Sequence, residues 1–243
     1  MHNIVCMKWG TKFGPEYVNR LHSMVSRHMA APFRFVCFTE APEGIVDGVE
    51  CLPLPDVGWE EGVDGHGWRK VGLFAPELGD LEGDALFLDL DVVIVDALDP
   101  LFEPEGEVMI IRDYRPVRVR GDRYVGNSSV LRFPVGRHPE LLERFRSDFP
   151  RIRREVRNEQ EYLSRYFHRR GELHYWPEAW CPSFKHDCVP VGPLSYFRTP
   201  RIPEGARVIV FHGRPNPSEA LEGKGGKFYR HIRPTPWIAE HWR

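Results

Sequence analysis

The sequence predicts an α/β fold in which helices sandwich a mostly parallel sheet, and three observations predict it. The stretch Ala85 to Asp96, ALFLDLDVVIVD, is an apolar run interrupted by Asp89 and Asp91, as expected of a strand covered on both faces. The chain opens with a strand, a helix and a second strand over Asn3 to Thr39. Its 243 residues, 12% of them aromatic, suffice for one large core. One domain over residues 1–217 is expected, with a C-terminal extension over 218–243 packed on it.

Asn3 to Met7 reads as the first strand, and KWGTKFG (Lys8 to Gly14) as a glycine-punctuated loop. Pro15 suits the first turn of a helix, along which Val18, Leu21, Met24 or Val25, and Met29 recur at helical spacing. FRFVCFT (Phe33 to Thr39) then returns as a strand. In this topology the loop after the first strand stands at the carboxyl edge of the sheet, where open α/β folds bind ligands. Lys8, Trp9 and Thr11 are therefore candidates to meet a nucleotide, although an ordinary loop with an aromatic lid has the same composition. Cys51 to Leu54 is a short third strand, and the prolines and glycines that follow make a loop. Trp68 to Pro76 reads as a helix packed through Trp68, Val71, Phe74 and Ala75. Arg69 and Lys70 on it are free to hold a phosphate, pair with an acid, or face solvent.

Packing gives no reason for two acids in the next strand. Residues i and i+2 of an extended chain point the same way, so Asp89 and Asp91 can both reach one divalent cation or one phosphate. An ionised carboxylate buried without a partner costs several kcal/mol, which favours a metal or a strand-end cleft over a dry core.

Asp96 is placed to cap a turn or short helix through Phe102, and VMIIR (Val108 to Arg112) is another buried strand. Arg115 to Arg123 is a basic loop, suited to an anionic ligand or to solvent. In YVGNSSVLRF, the small polar residues Asn127, Ser128 and Ser129 lead into a strand and suit a sugar site, or a plain turn. A helix follows over Pro139 to Phe149, then a charge-rich face through Arg157. Asn158 is placed to cap the next helix with Glu161 as its reciprocal partner, and Gln160 lies on the inward side with Leu163. ELHYWPEAW (Glu172 to Trp180) has the aromatic density of carbohydrate-contacting surfaces. VIVFH is the last apolar strand; His212, ending it beside Gly213, is placed as a metal ligand. Gly223 to Lys227 is a flexible basic loop, and an aromatic tail closes the chain.

With 33 Lys and Arg against 35 Asp and Glu, the balance gives no reason to expect nucleic acid as a partner. No window is long and apolar enough for a membrane span and the N-terminus has no leader pattern, so a cytoplasmic location is expected. The five cysteines are odd in number and scattered, and read as free thiols. Cys181 and Cys188, with His174 and His186 nearby, match no common zinc spacing.

In order, the loop after the first strand, Trp68-Arg69-Lys70, FLDLD, GNSSVLRF, NEQEYL and VIVFHGRPNP resemble the motifs of GT-A glycosyltransferases. Within that class they are similar to the retaining family that includes glycogenin and the bacterial lipooligosaccharide galactosyltransferases, over roughly residues 1–217. The resemblance implies a GT-A, Rossmann-like fold. It further implies that Asp89 and Asp91 bind Mn²⁺ or Mg²⁺ on a donor diphosphate, with His212 as third metal ligand. Asn127-Ser128 would stand near the donor sugar in place of an Asn-Ser-Gly motif, and Glu159-Gln160 would replace an Asp-Gln pair at the sugar. Two departures are visible: the histidine falls two residues late relative to Gly213 and Pro217, and Asn216 occupies the place of the diphosphate lysine. Lys224, Lys227, Arg214 or Lys70 are possible replacements.

The implied function is transfer of a sugar, with retention, from a nucleoside-diphosphate donor, UDP-linked by the resemblance, to a hydroxyl of a carbohydrate, lipid-linked or protein acceptor. Gln160, Glu159 and Asp91 are the implied catalytic residues. Lys8, Trp9, Thr11, Lys70, Asp89, Asn127, Ser128 and Gly213 are the implied donor-binding set. Two alternatives stand beside it: a haloacid-dehalogenase-like phosphatase with Asp89 as nucleophile, and a non-catalytic nucleotide-sugar-binding module.

Overall fold

Alternation along the first strand decides the layering. In β1 (His2–Lys8), Ile4 and Cys6 enter one buried cluster and Val5 and Met7 another, so the strand has core on both faces. The structure, a computed structural model, describes residues 1–59, 65–104, 108–114 and 124–243. The expected basic loop over 115–123 lies outside the described residues.

After β1 come α1 (Pro15–His28), β2 (Phe33–Thr39), β3 (Glu50–Leu52), a 3-10 segment (Gly65–Phe74), β4 (Asp84–Leu88) and β5 (Val93–Ile94). They are followed by β6 (Val108–Arg112), β7 (Gly126–Pro134), α2 (Pro139–Glu155), α3 (Glu159–Arg170), β8 (Leu173–Tyr175), β9 (Val208–Ile209), α4 (Pro217–Leu221) and α5 (Trp237–His241). Seven strands form one sheet in the order β3-β2-β1-β4-β7-β6-β8, and β5 pairs with β9 in a second, two-stranded sheet. In the large sheet only β7 runs against its neighbours. Its first residues therefore sit at the same edge as the carboxyl ends of the other strands. α1 packs Val18, Leu21, Met24 and Val25 into the cluster on one face. The 3-10 segment, α2 and α3 cover the other.

Several expectations are corrected. The apolar run around the two acids is not one strand. β4 stops at Leu88, the Asp89 amide gives its hydrogen to the Ser129 carbonyl at 2.9 Å, and the chain then turns through Leu90 and Asp91 before β5 joins the second sheet. The acids are adjacent because of this turn, not because of strand alternation. Trp68 to Phe74 forms 3-10 rather than α-helix, which keeps Trp68, Val71 and Phe74 on one face at three-residue spacing. Asp96 caps no helix: the 3-10 turn at Asp99–Phe102 has no side-chain cap, and Asp96 Oδ1 accepts from the neighbouring Ala97 amide. Asp99 instead accepts from the amides of Ala30 and Ala31 at 2.9 and 2.8 Å, tying down the end of α1.

α2 runs past Phe149 to Glu155 with a break at Asp148, two residues before Pro150. Of the aromatic stretch after α3, Trp176 alone turns into the core and Tyr175 and Trp180 are half-buried. Trp176 is buried and its indole donates to the Val130 carbonyl at 2.9 Å, while Trp180 lies against Arg207. No described helix is long and apolar enough to cross a membrane.

Candidate active site

β2 and β3 lie to one side of β1 and β4 to the other, so the chain reverses direction across the sheet at the β1–β4 boundary, the place where open α/β sheets have their crevice. A cleft of about 780 Å³ opens there. One wall is the loop after β1, with Trp9, Gly10, Thr11, Lys12 and Phe13; the floor carries Asp89, Leu90 and Asp91 from the turn after β4 and Asn127 and Ser129 from β7. Asn158, Glu159 and Gln160 from the start of α3 and Phe211, His212 and Gly213 beyond β9 complete it. Five separate parts of the chain thus converge on one crevice.

Beneath the floor lies a buried polar network. The Lys70 ammonium contacts Asp89 Oδ1 at 2.7 Å and donates to Ser128 Oγ at 3.2 Å, and that hydroxyl donates to Glu159 Oε1 at 2.8 Å. Lys70, Ser128 and Glu159 are all buried. Gly67 makes room for the network: its φ is +73°, and a Cβ there would stand 2.9 Å from the Glu159 carboxylate. Burial lowers the proton affinity of Lys70, but Asp89 and Glu159 outweigh it and the ammonium is held above its ordinary range. Burial raises the Glu159 carboxyl against the opposing pull of Lys70 and Ser128. Asp91 is pushed up to about 7, first by burial and then by the charge of Asp89. Three carboxylates around one buried ammonium leave an excess of negative charge that a cation would relieve.

α3 begins at this cleft. Asn158 caps it by accepting from the Glu161 amide at 3.1 Å, as expected. The reciprocal arm differs: Glu161 Oε2 accepts from the amide and guanidinium of Arg157, one residue before the cap. The cap leaves Gln160, in the first turn, on the cleft surface.

Among the residues anticipated from sequence, the cleft brings together Trp9, Thr11, Lys70, Asp89, Asp91, Asn127, Glu159, Gln160, His212 and Gly213. Two are placed elsewhere. Lys8 is buried and its ammonium donates to the Ala41 carbonyl, because the strand turns that side chain toward the end of β2 rather than into the cleft. Ser128 lies under the floor, where its hydroxyl serves Lys70 and Glu159. The three-ligand metal set is not assembled: among the described residues no group of three or more His, Cys, Asp and Glu side chains is gathered to hold a metal ion. His212 is engaged otherwise. Its Nε2 lies 2.8 Å from Ser183 Oγ, and its ring stacks with Tyr114 and His186. Of the candidate replacements for a diphosphate lysine, Lys70 lines the cleft, whereas Arg214 pairs with Glu219 and Lys224 with Glu222.

Sequence reasoning missed Lys12, an exposed cation on the cleft wall whose charge acts on Asp91, and Gly67. Lys12 stood in the glycine-punctuated loop already singled out. The signal for Gly67 was a glycine directly before a buried tryptophan.

No protein-family model matches the chain, and no curated protein matches its sequence. Solved structures do. The galactosyltransferase LgtC, solved with donor and acceptor sugar analogues, superposes with a TM-score of 0.64 over 88% of each chain at 15% identity. The chain has the fold of a glycosyltransferase. GlyE of Streptococcus pneumoniae TIGR4 gives 0.59 over 89% of this chain and 56% of its own at 12% identity. The bifunctional glycosyltransferase WbbM gives 0.59 over 98% and 50% at 13%. The chain thus spans nearly all of LgtC but about half of GlyE and WbbM.

Proposed function

We propose that the protein is a metal-dependent glycosyltransferase that moves a sugar from a nucleoside-diphosphate donor, UDP-linked by the family resemblance, to a hydroxyl acceptor with retention. The observation that carries this reading is the convergence of Asp89, Asp91, Asn127, Gln160 and His212 on one cleft at the carboxyl edge of a sheet shared with glycosyltransferases. An active-site mutant of LgtC replaces a glutamine by glutamate; Gln160 is the glutamine on this cleft. The phosphatase alternative has no counterpart among these structural neighbours.

Asp89 and Asp91 are the residues that would hold Mn²⁺ or Mg²⁺. Two hard oxygen donors, one nearly buried, in a cluster with excess negative charge fit such an ion, with donor phosphates supplying further ligands. When bound, the ion neutralises charge developing on the departing diphosphate. Lys70, by holding Asp89 from below, fixes the direction of that carboxylate. Lys12 adds a positive charge on the opposite wall for the phosphates. The positive end of α3 faces the same space, favouring an anion there. Trp9 and Phe13 offer aromatic faces to the base or sugar, and Gln160 orients the donor sugar through its amide. In the step itself the bond from the anomeric carbon to the diphosphate oxygen breaks, a bond to the acceptor oxygen forms on the same face, and the acceptor proton passes to the departing diphosphate. No protein base is required.

The test is a thermal-shift and turnover screen of nucleotide sugars with and without Mn²⁺. A metal-dependent rise in Tm with one nucleoside-diphosphate sugar, and release of the diphosphate, are expected. If no donor shifts or turns over with metal present, the reading fails.

A further inference from the structure

Among the described residues, most of the large apolar side chains that stand open to solvent belong to two short segments of the C-terminal half. Val191, Leu194 and Phe197 lie in the first, and Phe228 and Tyr229 in the second; Phe197 is 78% exposed and Phe228 is 85% exposed. The segments are one surface. Tyr196 Oη donates to the Phe228 carbonyl at 2.6 Å, the His231 amide donates to Ser195 Oγ at 3.1 Å, and the Tyr196 and His231 rings stack 4.7 Å apart. Apolar side chains gathered openly on one surface mark a place of interaction.

Their charge says what. Residues 191–201 carry Arg198 and Arg201, and residues 223–236 carry Lys224, Lys227, Arg230 and Arg233, with no Asp or Glu in either segment. The whole chain, by contrast, has slightly more acids than bases. Among the described residues, Lys224 alone of these cations has an acidic partner, Glu222 just outside the segment. Lys227 and Arg230 flank the Tyr229 ring at 5.7 and 6.0 Å, so aromatic and cationic groups interleave.

We infer that this surface docks the protein on an anionic phospholipid bilayer. Exposed aromatic and aliphatic side chains enter the headgroup boundary while Lys and Arg meet the negative surface, a combination that neither a neutral bilayer nor a basic protein face would satisfy. The surface also adjoins the cleft. The charge of Arg230 acts on His186, which stacks on His212, and Gly225 abuts Pro215, two residues after Gly213. Docking therefore brings one rim of the cleft to the bilayer, independently of which reaction the cleft performs.

The experiment is flotation of the full chain with vesicles of equal parts phosphatidylglycerol and phosphatidylcholine, against phosphatidylcholine alone, at low and high salt. Binding to the anionic vesicles, weakened by salt and lost on the neutral ones, is expected. Arg198→Glu with Lys227→Glu lowers the partition at least about thirtyfold, since each cation near an anionic surface contributes a factor of about five. Phe197→Ser with Phe228→Ser lowers it at least about tenfold through lost apolar insertion. Because all four side chains are exposed or at the rim, the variants keep the parent Tm, which is measured alongside. The inference is overturned if the parent protein stays unbound with anionic vesicles at low salt, or if it binds neutral vesicles equally. It is equally overturned if the surface proves to be a dimer contact: sedimentation would then show a dimer that the Phe197/Phe228 variant splits, without vesicle binding.

Discussion

Lys70→Met isolates the network under the cleft floor. The substitution keeps most of the side-chain volume but removes the ammonium of the network, leaving Asp89 and Glu159 without their cation and the Ser128 hydroxyl with one partner fewer. Breaking a buried pair by deleting one member costs about 3–5 kcal/mol because the remaining charge is stranded. Asp89 retains some contact with water, so the lower end, about 3 kcal/mol, is expected at pH 8. The loss shrinks as pH falls, because the Glu159 carboxyl, raised by burial, takes up a proton and no longer needs the ammonium. Removing one of the stranded acids as well, in Lys70→Met with Glu159→Gln, recovers part of it, and a double-mutant cycle in urea gives the coupling. Urea unfolding at pH 8 and pH 5 is the assay. A loss below about 1 kcal/mol at pH 8, or one that does not change with pH, would refute the view of Lys70 as the counter-charge of the floor.

Asp91→Asn abolishes the Mn²⁺-dependent rise in Tm with donor and cuts turnover by at least about a hundredfold, read by diphosphate release; unchanged metal dependence would remove Asp91 from the site. Gly67→Ala forces a Cβ against the Glu159 carboxylate at positive φ, and circular-dichroism melts should show a loss of about 1–3 kcal/mol together with weaker donor binding. Asp99→Asn weakens the charged acceptor of the Ala30 and Ala31 amides, costing about 1 kcal/mol at pH 6. Those amides hold the Asp99 carboxyl below its ordinary range, so its contribution is present at neutral pH and disappears as pH falls below about 4; equal gaps between parent and variant at pH 6 and pH 2.5 would contradict it. Gln160→Ala leaves the unfolding free energy within about 1 kcal/mol of the parent, as for a half-exposed side chain, while turnover falls; a loss of stability with turnover intact would assign it to the scaffold.

The opening strand-helix-strand unit was legible because β1 and β2 are short apolar runs bounded by glycine and proline, and α1 has one clean apolar face. β4 was legible for the same reason up to Leu88. The conformation beyond it was not, since a run of apolar residues looks alike whether it continues a sheet or turns into a second one. What decides the turn is the position of β9, more than a hundred residues later, and no local pattern carries it. The candidate site divides in the same way. Asn127, Gln160 and the two acids stood out as polar residues in apolar settings, and they do meet. Trp176 and Ser128 belong to the same residue classes but turn inward, because a partner from a distant strand or helix satisfies their polar atoms.

The pairing of β5 with β9 also sets an order of assembly. All seven strands of the large sheet lie before residue 176, whereas the cleft wall of Phe211, His212 and Gly213 hangs from a two-residue ladder joining Val93 to Ile209. A ribosome that has released the sheet has therefore not yet released the site. The acids after β4 wait through synthesis of more than a hundred residues before their opposite wall arrives. A chain stopped near residue 200 would keep the sheet-forming segments and lack a closed cleft, which separates acquisition of the scaffold from acquisition of chemistry.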